Sequence, residues 1–265
     1  CSESCPAPDS DHSTATFGGP LKMISDVASL LITCGTALLT ACGGGGGSGS
    51  TSVNTAEGLW QGPSSTGANV TVAVLENGEA WGGATIGNTL VSAIAGTATG
   101  NATSFSASGS EFVFSSNSVG TGTYTGTVTQ KQRIQATSNN GATINLAYNP
   151  YYDQGVTAAE IAGNYTLSGR TARYSITNMT FTIGANGSFT IVDNGCTTTG
   201  TATPRASGKA IVNVTATGTG TCVLGSGVSL NGIAVLDKTT TPNTLSVIAL
   251  NSGKTDGLVL LGRKN

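Results

Sequence analysis

From about residue 58 to its end the chain alternates apolar residues with small polar ones, and it breaks that alternation at Asn-Gly pairs. Val70, Val72 and Val74 alternate with Thr71, Ala73 and Leu75 before Asn77-Gly78. Met179, Phe181 and Ile183 alternate with threonines before Asn186-Gly187, and Phe189 and Ile191 resume the pattern beyond it. Ile144, Leu146 and Tyr148 follow Asn140-Gly141 in the same way. A period of two places alternate side chains on opposite faces of a strand. Asn-Gly suits a two-residue hairpin turn with positive φ at both central positions. The pattern therefore predicts an antiparallel, all-β fold. The 39 glycines and the 9% of charged residues would by themselves point to disorder. The abundance of Val, Ile and Thr beyond residue 70 points instead to a sheet.

In two places the apolar residues change parity. From Tyr174 to Ile183 they move from even to odd positions around Asn178, and Val228 and Leu230 give way to Ile233 and Val235 around Asn231-Gly232. A change of parity flips the buried face unless one residue is absorbed, so both sites are expected to be β-bulges. The one helical signal is Thr157-Ala158-Ala159-Glu160-Ile161-Ala162, a capping-box pattern ended by Gly163. Asn149-Pro150-Tyr151-Tyr152-Asp153 just before it reads as a break. The halves on either side look related. Gly58-Leu59-Trp60 and Gly163-Asn164-Tyr165 each precede an Asn-Gly hairpin, and from 58 to 163 and from 77 to 186 the spans are 105 and 109 residues. The expected body is two tandem small β-barrels or β-sandwiches, residues 56–150 and 163–265, joined by a linker with a short helix at 151–162.

Upstream the chain changes character. Val27 to Leu39 is an apolar run of thirteen, short of the ~20 residues a spanning helix needs but of the length of a signal-peptide core. It ends in Leu39-Thr40-Ala41-Cys42, which resembles the lipobox of bacterial lipoproteins. That resemblance implies a signal peptide at 23–41, cleavage before Cys42, and a diacylglycerol on the Cys42 thiol. The stretch 42–55, with Gly43 to Gly47 followed by Ser48-Gly49-Ser50, then reads as a flexible tether. Gly rather than Asp at position 43 looks like the pattern of lipoproteins passed to the outer membrane, so the expected location is the cell envelope, lipid-anchored in the outer membrane. Residues 1–22, ahead of Met23, are read as an over-extended or non-native start. With a lipobox present, the six N-x-[ST] matches at Asn69, Asn101, Asn164, Asn178, Asn186 and Asn213 are taken as coincidence in a Thr-rich chain. Anchor, glycine tether and β-rich body together look like surface lipoproteins of Gram-negative bacteria, including the barrel halves of transferrin-binding lipoproteins.

Gly58-x-Trp60 also resembles the G-x-W signature of the lipocalin and wider calycin group, in which the aromatic ring closes a barrel floor and an Arg from a late strand packs over it. The second half offers Gly163-x-Tyr165 and Arg263. The resemblance implies barrel-closing roles for Trp60, Tyr165 and Arg263, with ligand entering the opposite end. Tyr replaces Trp in the second half, and no lipocalin disulfide or loop pattern accompanies the motif.

Cleavage before Cys42 takes the basic residues from 11 to 10 and the acidic ones from 13 to 9, leaving a nearly neutral chain. No basic stripe with interleaved aromatics appears, so nucleic acid is not an expected partner. The cut removes Cys1, Cys5 and Cys34 and would acylate Cys42, which leaves Cys196 and Cys222 as one pair, read as a disulfide in an exported domain. The single histidine, His12, lies upstream of the signal segment, so the mature chain has no imidazole for a catalytic triad or a His-ligated metal. No cofactor is expected. Carboxylates that could pair for glycoside hydrolysis include Glu57, Glu76, Glu79, Glu111, Asp153, Glu160 and Asp193. Arg170, Arg173, Arg205 and Lys209 read as either a basic rim or solvated strand ends. Tyr151 and Tyr152 read as either exposed binding aromatics or packing between the halves.

The functional expectation is a non-catalytic β scaffold that binds a small ligand or a macromolecular partner. A structural or adhesive envelope protein is the alternative, and a carboxylate-pair glycoside hydrolase stands third. A closed barrel with an apolar cavity favours the first, a filled core with an exposed aromatic patch the second, and two carboxylates ~5 to 9 Å apart in a cleft the third.

Overall fold

Turn chemistry and alternation build sixteen strands in the computed structural model, which describes residues 54–171 and 174–265. The start segment 1–22, the signal segment 23–41, Cys42 and the glycine tether as far as residue 53 lie outside the described residues. In chain order the first eight strands are β1 (Gly58–Pro63), β2 (Asn69–Val74), β3 (Glu79–Ile86), β4 (Thr89–Asn101), β5 (Ser104–Val113), β6 (Ser118–Thr129), β7 (Arg133–Ser138) and β8 (Thr143–Tyr148). A 3-10 turn at Pro150–Asp153 and a one-turn helix α1 (Ala158–Ile161) follow. The remaining strands are β9 (Gly163–Thr171), β10 (Ser175–Ile183), β11 (Ser188–Asp193), β12 (Cys196–Pro204), β13 (Ile211–Gly220), β14 (Ser229–Asp237), β15 (Thr244–Asn251) and β16 (Gly257–Lys264).

Each set of eight closes into an antiparallel up-and-down barrel. Trp60 of β1 pairs with Tyr148 of β8 to close the first. The run from Leu258↔Thr171 to Lys264↔Tyr165 closes the second. Closure leaves no unpaired sheet edge. Eight strands give an interior just wide enough to be filled by side chains or to hold one small molecule.

The Asn-Gly hairpins differ in detail from the two-residue turn. Only the glycines take positive φ, Gly78 at 84° and Gly187 at 81°. Gly78 N donates to Leu75 O at 2.9 Å and Leu75 N to Glu79 O at 2.8 Å, so three residues form the loop. Asn77 stays at negative φ because its Oδ1 accepts from Glu79 N at 3.1 Å, which holds the turn from the side chain. The second barrel repeats the arrangement: Gly187 N donates to Gly184 O and Gly184 N to Ser188 O, both at 2.8 Å. Each turn is then bound by the next strand but one, Ala98 N to Gly78 O and Ala202 N to Gly187 O, again at 2.8 Å.

One of the two parity changes is a bulge. The β9–β10 register shifts between Ile176 and Met179, and Asn178 takes φ 51°. Ile176, Met179 and Phe181 therefore pack on one core. The other is not a bulge, which corrects the expectation at Asn231-Gly232. Strands β13, β14 and β15 pair without a shift. Leu230, Ala234 and Leu236 face the barrel interior, while Ile233 and Val235 face outward and are covered by the first barrel. A strand buried on both faces carries apolar residues at both parities.

That outward face belongs to a shared core. Leu59, Ala73, Leu75, Ala93, Phe112 and Phe114 of the first barrel pack with Ile211, Ile233 and Ile248 of the second, with Tyr152 among them. Polar contacts frame it. Arg205 Nε meets Glu76 Oε1 at 2.8 Å, the Arg170 guanidinium lies 5.3 Å from the Phe114 ring centre, and the Lys254 ammonium lies 5.9 Å from that of Trp81. Asp153 accepts from Lys131 of the first barrel and Lys209 of the second, each at 2.8 Å.

Candidate ligand cavity in the second barrel

The closed end of the second barrel is built around Tyr165, which is fully buried. Its hydroxyl donates to Ile161 O at 2.8 Å, tying the first turn of β9 to α1 beneath it. Burial pushes this phenol up to about 12, so it stays a neutral donor. The capping box holds α1 in place: Thr157 N donates to Glu160 Oε2 at 2.8 Å and Glu160 N to Thr157 Oγ1 at 3.3 Å. Two lysines fasten it across the barrel floor. Lys264 Nζ donates to Glu160 O at 2.7 Å, and Lys238 Nζ to Glu160 Oε1 at 2.9 Å and Gly155 O at 3.0 Å.

Above the floor the barrel is open inside. Tyr165 stacks on Phe181 at 5.8 Å, and Phe181 meets Phe189 edge-on at 5.7 Å. Past these rings lies a cavity of about 590 Å³, walled by Met179, Phe189, Val214, Leu230 and Leu258 with Ile161 at its base. Its volume falls in the range of small-molecule sites. Tyr174, Val192 and Val223 also line it, and they are 50%, 73% and 58% exposed. They come from three separate segments at the end away from Tyr165. A disulfide between Cys196 and Cys222, with Cα atoms 4.6 Å apart, pins the loop bearing Val223 to the start of β12. Polar lining residues such as Ser175, Asn194 and Thr221 lie at strand ends and turns on this same side.

The first barrel has the same floor device. Trp60 is fully buried, and its Nε1 donates to Ala56 O at 2.8 Å, four residues upstream as in the Tyr165–Ile161 bond. Its ring meets Tyr148 edge-on at 5.2 Å. Phe105, Val128, Ile134 and Leu146 fill the interior beside it.

Several sequence-predicted site residues lie elsewhere. Arg263 is exposed and does not cover Tyr165. With Leu258 and Leu260 facing inward, alternation sends Lys264 in and Arg263 out. Tyr151 and Tyr152 are 4% and 1% exposed, so they are not surface binding aromatics. The Tyr151 hydroxyl donates to Leu236 O and accepts from Lys238 N at 3.0 Å. The Tyr152 hydroxyl donates to Glu57 Oε1 at 3.2 Å. Burial and the Glu57 carboxylate push the Tyr152 phenol far up, which keeps it neutral. The basic residues are dispersed: Arg205 pairs with Glu76, Lys209 with Asp153, and Arg170 lies over Phe114. Arg173 lies outside the described residues. Carboxylates have structural partners as well, Glu160 with Lys238 and Glu79 with Trp81 Nε1 at 3.3 Å. Alternation does not single out the mouth residues Tyr174, Val192 and Val223; their signal in the sequence is that of isolated apolar residues at strand ends.

No family model matches the sequence, and no curated relative matches it. Among solved structures it is similar to a Trp-to-Ala mutant of the vaccine antigen transferrin binding protein B from Haemophilus parasuis Hp5, at 7% identity and a TM-score of 0.25. That match covers 74% of this chain, and the chain spans 65% of the other's length. At that score the fold rests on the strand pairing of this chain, which defines a tandem pair of eight-stranded up-and-down barrels.

Proposed function

We propose that this chain is a lipid-anchored protein of the outer-membrane envelope that binds a small apolar ligand in its second barrel without transforming it. The cavity of about 590 Å³, with Ile161 of α1 at its base and exposed apolar side chains at its mouth, carries the reading. Apolar walls gain free energy by removing a ligand's apolar surface from water. The Leu39-Thr40-Ala41-Cys42 pattern supports the anchor. The carboxylates Asp153, Glu160 and Glu76 are engaged in ion pairs, which supports binding over catalysis.

The test uses the full chain with Cys42→Ser, which carries no lipid, titrated with a neutral fluorescent naphthylamine. The expected result is a saturable blue-shifted signal. Ala249→Phe should abolish it by filling the cavity, because Ala249 is 1% exposed and lines that space. A signal unchanged in that variant, or none in the parent, would refute the site. For the anchor, the wild-type chain should be cleaved before Cys42 and fractionate with membranes, whereas Cys42→Ala should be left unprocessed or soluble, and normal membrane partitioning of that variant would refute the anchor.

A further inference from the structure

The cavity's volume and the chemistry of its mouth define a ligand class more narrowly, on the reading that the cavity is a binding site. We infer that the second barrel takes a single-chain amphiphile with an uncharged, hydroxyl-bearing head, of the monoacylglycerol or long-chain alcohol type.

The volume sets the tail. A methylene or hydroxyl group takes up about the ~30 Å³ that a water molecule occupies in the liquid. A cavity of about 590 Å³ therefore holds roughly twenty heavy atoms at that packing. A monoacylglycerol with a twelve- to fourteen-carbon chain has about that number, whereas a two-chain lipid has roughly twice as many. The walls suit such a tail: Met179, Phe181, Phe189, Val214 and Leu230 offer no hydrogen-bonding group along the shaft.

The mouth sets the head. Ser175, Asn194 and Thr221 supply hydroxyl and amide groups, which both donate and accept. Among the described lining residues the charged side chain is Asp193, at the end of β11 beside them. A carboxylate there repels an anionic head, and an anion placed among neutral groups loses hydration without a compensating charge. Tyr174, Val192 and Val223 line the same mouth and are exposed, which offers apolar surface for the part of the chain nearest the head.

The experiment measures displacement of the naphthylamine probe from the Cys42→Ser full chain by 1-monoacylglycerols of eight to eighteen carbons, each below its micelle threshold. Each added methylene should tighten binding about fourfold, with a plateau near twelve to fourteen carbons where the cavity is full. The fatty acid of the plateau length, at pH 8, should bind at least tenfold more weakly than its monoacylglycerol, and a diacylglycerol should not compete. Equal or tighter binding of the fatty acid would overturn the neutral-head assignment. Its loss in Arg173→Gln, the cation adjacent to Tyr174 in the sequence, would place an anion site there instead. Competition by the diacylglycerol would overturn the single-chain assignment. Probe binding with no alkyl displacement defeats this inference but leaves the cavity reading standing, whereas absence of probe binding defeats both.

Discussion

Removing the disulfide gives a quantitative test of how the mouth of the second barrel is held. Cys196 and Cys222 are 26 positions apart. On the chain-entropy account a cross-link of that span removes about 12 cal/mol/K from the unfolded chain, or about 3.5 kcal/mol at 25 °C. For a folded body of this size each kcal/mol moves the melting midpoint by roughly 2–4 °C, so Cys196→Ala/Cys222→Ala should melt about 7–14 °C lower. The loop would not be lost altogether, because Leu224 and Val228 still pack on Ala216, Leu230 and Ala249. A second effect follows from where the bond sits. Freed from β12, the segment carrying Val223 moves more readily, and a bound apolar probe should leave the barrel faster even at temperatures far below melting. The assay pairs thermal unfolding by circular dichroism with stopped-flow release of the probe, for the parent and the double variant. A shift under ~2 °C with unchanged release would refute both the entropic reasoning and the role of this bond at the mouth.

Three further outcomes are expected. Tyr165→Phe removes the donor to Ile161 O and leaves a buried carbonyl unpaired, which should cost about 1–3 kcal/mol in urea unfolding; an unchanged midpoint would show the floor bond to be dispensable. Burial raises the Asp153 carboxyl, but hydrogen bonds from Lys131, Lys209 and Tyr148 outweigh it and hold the group well below the usual carboxylate range. Its stabilisation is therefore complete above an unfolded value of about 4 and is lost as pH falls through the folded value. The gap in urea midpoint between the parent and Asp153→Asn should accordingly be constant from pH 7 to 5 and shrink toward pH 2, and a gap independent of pH would disprove the coupling. Gly187→Val places a β-branched side chain at φ 81° and against the Ala202 carbonyl, so it should destabilise by at least ~1–2 kcal/mol, whereas a neutral effect would mean the turn has another way to close.

Short-range patterns in the sequence translated directly into structure where one principle governed each residue. The alternation around Val70 to Val74, the capping box at Thr157 and Glu160, and the parity change at Asn178 each report a local geometry. What escaped depended on a second surface. Ile233 and Val235 looked like a slipped register because the sequence does not say that the other barrel covers them. Tyr151 and Tyr152 carried both a surface and a buried reading, and only the packing of the two barrels decides for burial. The G-x-W resemblance points to Arg263, although counting from Leu258 and Leu260 by twos leads to Lys264 instead. The cavity was legible only as a set of inward apolar residues. Whether such a set fills its barrel or leaves space depends on how side chains such as Phe181 and Phe189 pack, which alternation does not specify.

The apolar seam through Ile211, Ile233 and Ile248 also bears on how the protein is made. During synthesis the first barrel leaves the ribosome before its neighbour exists, with Leu75, Ala93, Phe112 and Phe114 uncovered on its flank. Until β13 to β16 have emerged, that flank is a sticky intermediate of the kind that holdase chaperones shield. A truncation after residue 150 should therefore yield not a smaller soluble protein but an aggregating one, and any chaperone that handles this chain is expected to grip the flank of the first barrel.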